Sequence, residues 1–208
     1  MIKKTTLGLL AFSLASTGVY AEQNSFNEGI SESGVFIGLD VFEGESNLDI
    51  EVSGLLNGSN DMDFDQSGFR LKLGSKEKSG TRFQTYFKSE DFDDAFDEKV
   101  YGLGFDVLKT FSVGSDFSPF VLAGLGLDWT ELEDTVNVDF SEDSLSAVLF
   151  KLGFGGLITI SKNVEVQVGV DWQKRSWQDI EFTDGFNSIT LEQSDTSTTY
   201  YAGVNFHF

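Results

Sequence analysis

The chain has 208 residues, a length that fits one domain, and it holds no cysteine, so thiol chemistry, cysteine metal sites and disulfide scaffolds are excluded. A formal net charge of -20 argues against binding a phosphate backbone, and nucleic acid is not an expected partner. With 21 Phe, 22 Gly and a single Pro, the chain resembles neither a disordered acidic tail nor a proline-rich linker.

Lys3 and Lys4 precede an apolar stretch from Leu7 to Ala15, and Val19-Tyr20-Ala21 offers a small-residue cleavage site before Glu22. Residues 1–21 therefore read as a secretory signal peptide. The apolar stretch is much shorter than the roughly 20 residues a spanning helix needs, and no later window supplies such a run. Residues 22–33 are polar and aperiodic and read as a short periplasmic lead. From Gly34 onward the pattern becomes strict alternation, the period of a strand with two unlike faces, so residues 34–208 read as one all-β domain.

Eight strands are predicted in chain order. Val35, Ile37, Leu39 and Val41 alternate with Phe36, Gly38, Asp40 and Phe42; Phe69, Leu71 and Leu73 alternate with Arg70, Lys72 and Gly74. Phe83, Thr85 and Phe87 alternate with Arg82, Gln84, Tyr86 and Lys88, and Tyr101, Leu103, Phe105 and Val107 with Gly102, Gly104, Asp106 and Leu108. Val121 to Trp129 and Val148 to Ile160 follow the same rule, with Asp128 and Lys151 on the polar side. Val164 to Trp172 alternates with Glu165, Gln167, Gly169, Asp171 and Gln173, and Thr198 to Phe208 with Thr199, Tyr201, Gly203, Asn205 and His207. These lengths approach the about 9 to 11 residues of a tilted membrane-crossing strand, the second and third reading short.

Connections alternate in length. Ser75 to Gly80, Thr110 to Ser118 and Ser161 to Asn163 are short; Glu45 to Asp65, Glu90 to Glu98, Glu131 to Ser144 and Ser176 to Asp195 are predicted as longer loops. Short turns at one end and long loops at the other match the periplasmic and extracellular ends of an eight-stranded antiparallel up-and-down transmembrane β-barrel.

Alternation alone also fits a soluble barrel with its apolar face inside. Three features favour lipid outside. Glycines crowd the polar face, where they make room in a narrow lumen. That face carries Arg70, Lys72, Arg82, Lys88 and Lys151 against Asp40, Asp106, Asp128, Glu165 and Asp171, a balanced set able to pair when buried. Aromatics gather at the strand ends, with Trp129, Trp172 and Tyr101 towards the loops and Phe83, Phe120, Phe206 and Phe208 towards the turns, as in interfacial girdles. Phe36, Phe42, Tyr86, Leu108, Leu122, Leu149, Leu157 and Tyr201 should help fill the lumen, so a continuous channel is not expected.

The ending Tyr200-Tyr201-Ala202-Gly203-Val204-Asn205-Phe206-His207-Phe208 resembles the last strand of outer-membrane barrels. With the signal peptide, the eight strands and Gly-rich segments such as Phe120 to Gly126, the chain is similar to the OmpA-like and OmpX-like small barrels over nearly its whole mature length. The resemblance implies that Phe208, Phe206 and Tyr200 form the signal read by the barrel-assembly machinery. It also implies a monomer in contact with outer-membrane lipid and lipopolysaccharide. One departure is that no peptidoglycan-binding domain follows Phe208, so anchoring by that route is not expected.

Small barrels of this kind that act as enzymes imply catalytic His residues near the outer rim. The single His of this chain, His207, falls at the opposite end on the inward face and is read as lumen packing; no enzyme activity and no cofactor are expected. Lys76, Lys78, Lys109 and Lys162 lie in or beside the short turns, whereas Glu45, Asp49, Glu51, Asp61, Asp63, Glu131, Glu133, Asp134, Glu142, Asp143, Asp179, Glu181, Asp184 and Glu192 crowd the long loops. Two readings of this acidic crown are open: weak Ca²⁺ or Mg²⁺ binding that bridges to lipopolysaccharide phosphates, or charge that keeps the loops soluble. Asp61-Met62-Asp63-Phe64-Asp65 alternates carboxylates but lacks the glycine and closing glutamate of an EF-hand loop. Three functions stay in view: a structural or surface-interaction barrel, a small porin, and a soluble periplasmic barrel for an apolar ligand.

Overall fold

The computed structural model describes residues 34–54, 58–93, 99–113, 116–131, 144–184 and 187–208; the expected signal peptide and lead lie outside them. Nine strands follow in order: β1 (Gly34–Ser53), β2 (Gly58–Lys76), β3 (Thr81–Asp93), β4 (Lys99–Thr110), β5 (Phe117–Glu131), β6 (Ser144–Ser161), β7 (Val164–Trp177), β8 (Ile180–Asp184) and β9 (Asn187–His207). Strands β1 to β7 each pair antiparallel with the next in that run, β7 and β8 both pair with β9, and β1 closes the ring on β9 from Phe36↔His207 to Ser53↔Thr190. Eight staves make the barrel. The short β8 continues β7 along the same partner: Ser176↔Ser194 is followed by Ile180↔Leu191, four steps on one chain against three on the other.

Closure leaves no edge in the wall, which is how a sheet satisfies every backbone group where water is absent. The connections at one end are tight. Between β2 and β3, Gly80 takes a φ of 79, a left-handed conformation that side-chain-bearing residues avoid, and its N–H donates to the Glu77 carbonyl at 3.0 Å. The Thr110 hydroxyl donates to the Gly80 carbonyl at 2.7 Å and ties this turn to β4.

The two faces separate as the alternation requires. Outside stand Leu39, Leu71, Leu103, Leu125, Leu127, Val148, Leu152 and Phe154, each more than two-fifths exposed. A soluble protein rarely leaves so continuous an apolar surface uncovered. The belt ends at one level all round: Val41 gives way to Glu43, Tyr101 to Lys99, Trp172 to Lys174 and Tyr200 to Thr198. Aromatic rings mark that level, with Tyr101 packed 6.2 Å from Phe87 and 6.4 Å from Trp129, and Trp172 packed 6.4 Å from Phe150.

Four expectations are corrected. Glu45 to Asp65 is not a loop: β1 and β2 pair without a register break up to Val52↔Gly58, so both strands run well beyond the belt. Ser176 to Asp195 is likewise mostly ladder, made of the end of β7, β8 and the start of β9. The second and third strands are not short, at 19 and 13 residues. Phe120 does not join a girdle, because its parity on β5 turns it into the lumen, where it is 2% exposed.

Candidate functional site

The lumen is filled from the strands' inward parity. All ten charged residues expected there face inward and are buried. Arg70 pairs with Asp171 at 2.7 Å, Lys72 with Asp40 at 2.6 Å, and Arg82 grips both oxygens of Glu165 at 2.6 and 2.8 Å. Lys151 reaches Asp106 at 2.9 Å, and Lys88 reaches Asp128 at 2.8 Å. Short bridges of this kind offset the cost of taking charge out of water, which an isolated buried ion could not bear.

Three further members belong to the network. Arg175 on β7 reaches Asp128 at 3.0 Å, Glu90 at 3.1 Å and Asp195 at 3.6 Å, and Lys88 also holds Glu90 at 2.8 Å. The sequence pattern alone places Glu90 and Asp195 in loops and Arg175 in no strand. Parity would have found them: Glu90 follows Arg82, Gln84, Tyr86 and Lys88 by twos, and Arg175 follows Asp171 and Gln173. Lys76, buried at the turn end of β2, adds a seventh base, so among the described residues the lumen holds seven buried basic and seven buried acidic side chains. The interior is neutral, and the excess of acid over base, 34 against 14, belongs elsewhere in the chain.

Glycine sets the geometry of these pairs. Asp40 lies opposite Gly203, Asp106 opposite Gly124, Asp128 opposite Gly102 and Asp171 opposite Gly153. A Cβ built on any of the four glycines would strike the facing carboxylate, so the bare backbone lets each aspartate lean sideways towards its cation. Tyr86 lies over Gly104 in the same way, and the Lys151 ammonium sits 4.1 Å from the centre of the Tyr86 ring. The Arg70 guanidinium lies between Phe42, at 4.8 Å, and Tyr201, at 5.1 Å.

Buried apolar side chains are interleaved with this polar column. Towards the turns lie Phe36, Leu108, Phe120 and Leu157, each at most 2% exposed. Towards the outer end, Leu48, Phe92, Val100 and Leu145 are buried, and Phe92 packs edge-on against Phe64 at 5.1 Å. The Arg175 guanidinium faces the rings of Phe92 and Trp177 at 5.6 and 5.5 Å, joining the outer layer to the charges beneath it.

Beyond the belt the wall continues on one side as a four-stranded blade, in the order β2, β1, β9, β8. Its outward face carries Glu43, Glu45, Asp49, Glu51, Asp61, Asp63, Asp65 and Glu192, and its inward face Leu48, Ile50, Val52, Met62, Phe64 and Leu191. Asp49 stands directly opposite Asp61, and Glu45 opposite Asp65. Asp63 accepts a 2.8 Å hydrogen bond from the Asn47 amide. Among the described residues no group of three or more acidic or His side chains is arranged to hold a metal ion, since strand geometry spreads the carboxylates along a column.

No protein-family profile matches the chain, and no curated protein does. Solved structures do. The chain is similar to the Neisserial surface protein A, with a TM-score of 0.55 and 16% identity over 85% of this chain and 99% of that one. It also aligns with the N-terminal β-barrel domain of Pseudomonas aeruginosa OprF, at TM-score 0.47 and 15% identity over 85% and 100% of the two chains. The third is OprG of Pseudomonas aeruginosa, at 0.47 and 16% over 84% and 96%. The chain has the fold of a small eight-stranded outer-membrane β-barrel.

In that barrel, Tyr200, Phe206 and Phe208 project outward from the last strand and are 59%, 51% and 78% exposed. The Phe208 N–H donates to the Val35 carbonyl at 3.0 Å, and the Asn163 amide donates to the His207 carbonyl at 2.8 Å, so the end of the chain is tied to its neighbours on both sides. His207 lies at the turn end, its Nε2 3.7 Å from Glu165 and its ring 5.5 Å from that of Phe36. It sits beside the ion pair of Arg82, at the end of the barrel remote from the acidic blade.

Proposed function

We propose that the protein is an integral outer-membrane barrel whose role is structural or surface-interactive, with the lumen as a strut and the acidic blade as the surface it presents. The carrying observation is the filled interior: six cations and seven anions bridged to one another in one column, packed among buried apolar side chains. An eight-stranded barrel has room for side chains and little else, and this one fills that room with charges that fix one another. Residues 1–21 direct export, Tyr200, Phe206 and Phe208 offer the signal to the assembly machinery, and the apolar belt meets lipid and, in the outer leaflet, lipopolysaccharide. The short turns then face the periplasm and the blade faces outward. The barrel works as a monomer.

Planar-bilayer recording of the purified protein tests this reading against a small porin. Occasional brief events over a closed baseline are expected; a steady open conductance would overturn the closed-lumen role. Cell fractionation should place the protein in the outer-membrane pool, and recovery in the soluble pool without detergent would revive the periplasmic-barrel alternative.

A further inference from the structure

Outside the lumen, the apolar wall is not uniform. A groove of about 900 Å³ crosses β2 to β5, walled by Leu71, Leu73, Leu103, Phe105 and Leu125. Its floor is Thr85, which stands between Phe83 and Phe87 along β3 and between Leu73 and Phe105 across it. Phe83 stacks on Phe105 at 6.3 Å and raises one bank. The Thr85 hydroxyl donates to the Leu73 carbonyl at 3.3 Å, so its donor is satisfied and the hydroxyl is tolerated on an apolar face.

Towards the turns, the strands that form the groove end in basic side chains. Lys109 follows Leu103, Phe105 and Val107 by twos on the outward face of β4, is exposed, and donates from its ammonium to the Ser79 carbonyl at 2.6 Å. That bond fixes the charge beside the β2–β3 turn and uses one of its three donors. Lys78 is exposed in the same turn, where the Ser79 hydroxyl donates to Glu77 at 3.3 Å. Phe111 and Phe117, both exposed, stand in the next connection. Basic groups beside aromatic rings at the rim of an apolar belt fit the headgroup level of a leaflet. The six steps from Lys109 to Leu103 span roughly 20 Å along the strand, which at a tilt of about 40° is about 15 Å of depth, one leaflet of a roughly 30 Å hydrocarbon core.

We propose that this face retains one anionic phospholipid of the periplasmic leaflet, its phosphate on Lys109 and Lys78 and one acyl chain in the groove over Thr85. The outer end of the groove does not suit an anionic headgroup. There Lys99 is already bridged to Asp91 at 3.2 Å, in a row that continues through Ser67 to Glu43. Nor is the preference a property of the whole chain, whose net charge of -20 repels an anionic lipid on average. The proposal rests on the outer-membrane reading and adds to it a bound lipid, its class and its leaflet.

The test places the full-length mature barrel in phosphatidylcholine vesicles with a trace of phosphatidylglycerol carrying a nitroxide on its acyl chain, or of phosphatidylcholine labelled in the same way. Electron spin resonance reads the fraction of label held immobile at the protein. Phosphatidylglycerol is expected to be held about fivefold more strongly than phosphatidylcholine. Lys78→Gln/Lys109→Gln should abolish that preference, and Thr85→Leu, which fills the floor of the groove, should reduce retention at least about twofold. Lys99→Gln/Lys174→Gln at the outer rim should leave both unchanged. All five positions are exposed, and heat-dependent migration on a denaturing gel checks that each variant has formed its barrel. Equal retention of the two lipids, a preference that survives Lys78→Gln/Lys109→Gln, or one lost at the outer rim instead would each overturn the site. So would a disulfide dimer of Thr85→Cys in the same vesicles, which would put a second copy of the chain in the groove. Equal retention with label still immobilised leaves the outer-membrane reading standing, whereas no immobilised label of either kind refutes that reading as well.

Discussion

Lys151 shows how a single side chain is held inside the barrel. Its ammonium lies 2.9 Å from Asp106 and over the face of Tyr86, and the Gln84 amide donates to the same carboxylate at 2.9 Å. Removing the cation strands a buried carboxylate, so Lys151→Met should destabilise the barrel by about 3 to 5 kcal/mol in urea titrations from vesicles. Adding Asp106→Asn removes the orphaned charge while keeping an acceptor for Gln84, and the double variant should recover more than half of that loss. A double variant no more stable than the single one would contradict the pairing. The Tyr86 ring depends on a different neighbour. Gly104→Ala places a methyl against that ring and should cost about 1 to 3 kcal/mol. Tyr86→Leu in the same chain should relieve most of the clash, which the same titration would read.

At the scale of strands, the stretches within the apolar belt were legible because apolar and polar residues alternate there without interruption, as in Val164 to Trp172. The outward extensions were not. In Glu45 to Val52 and Asp61 to Asp65 the alternation persists with acid in the place of the apolar face, and acidic residues are poor strand formers in isolation. Cross-strand pairing overrides that preference, since β1 is flanked on both sides up to Val52. Glu90, Arg175 and Asp195 were missed for the same reason: each lies past the level where the outer face turns polar, although inward parity runs on unbroken. Within the belt, Leu125→Arg should cost about 2 to 4 kcal/mol of folding free energy in a bilayer, whereas Glu45→Arg beyond it should change little. Equal effects at both sites would contradict the position of the belt. Along the hairpin, Asp49 faces Asp61, so Asp61→Lys replaces a repulsion by an attraction. It should stabilise the blade locally by about 0.5 to 1 kcal/mol, seen as slower amide exchange at Ile50 and Asn60.

For the molecule as a whole, charge is sorted by place. The interior is neutral, the belt apolar, and the net acidity lies beyond the belt and in the segments around it. That sorting is what a wall between water and lipid imposes, and it is the reason the polar face can be the inner one. The decisive measurement is the environment of nitroxide labels at Leu125, Phe150 and Val166, compared with Glu45 and Thr196, in native envelopes. Relaxation by oxygen and shielding from a water-soluble nickel complex are expected at the first three positions, with the reverse at the last two. Aqueous or protein-interior signatures at Leu125, Phe150 and Val166 would mean that the apolar side of this sheet does not face lipid.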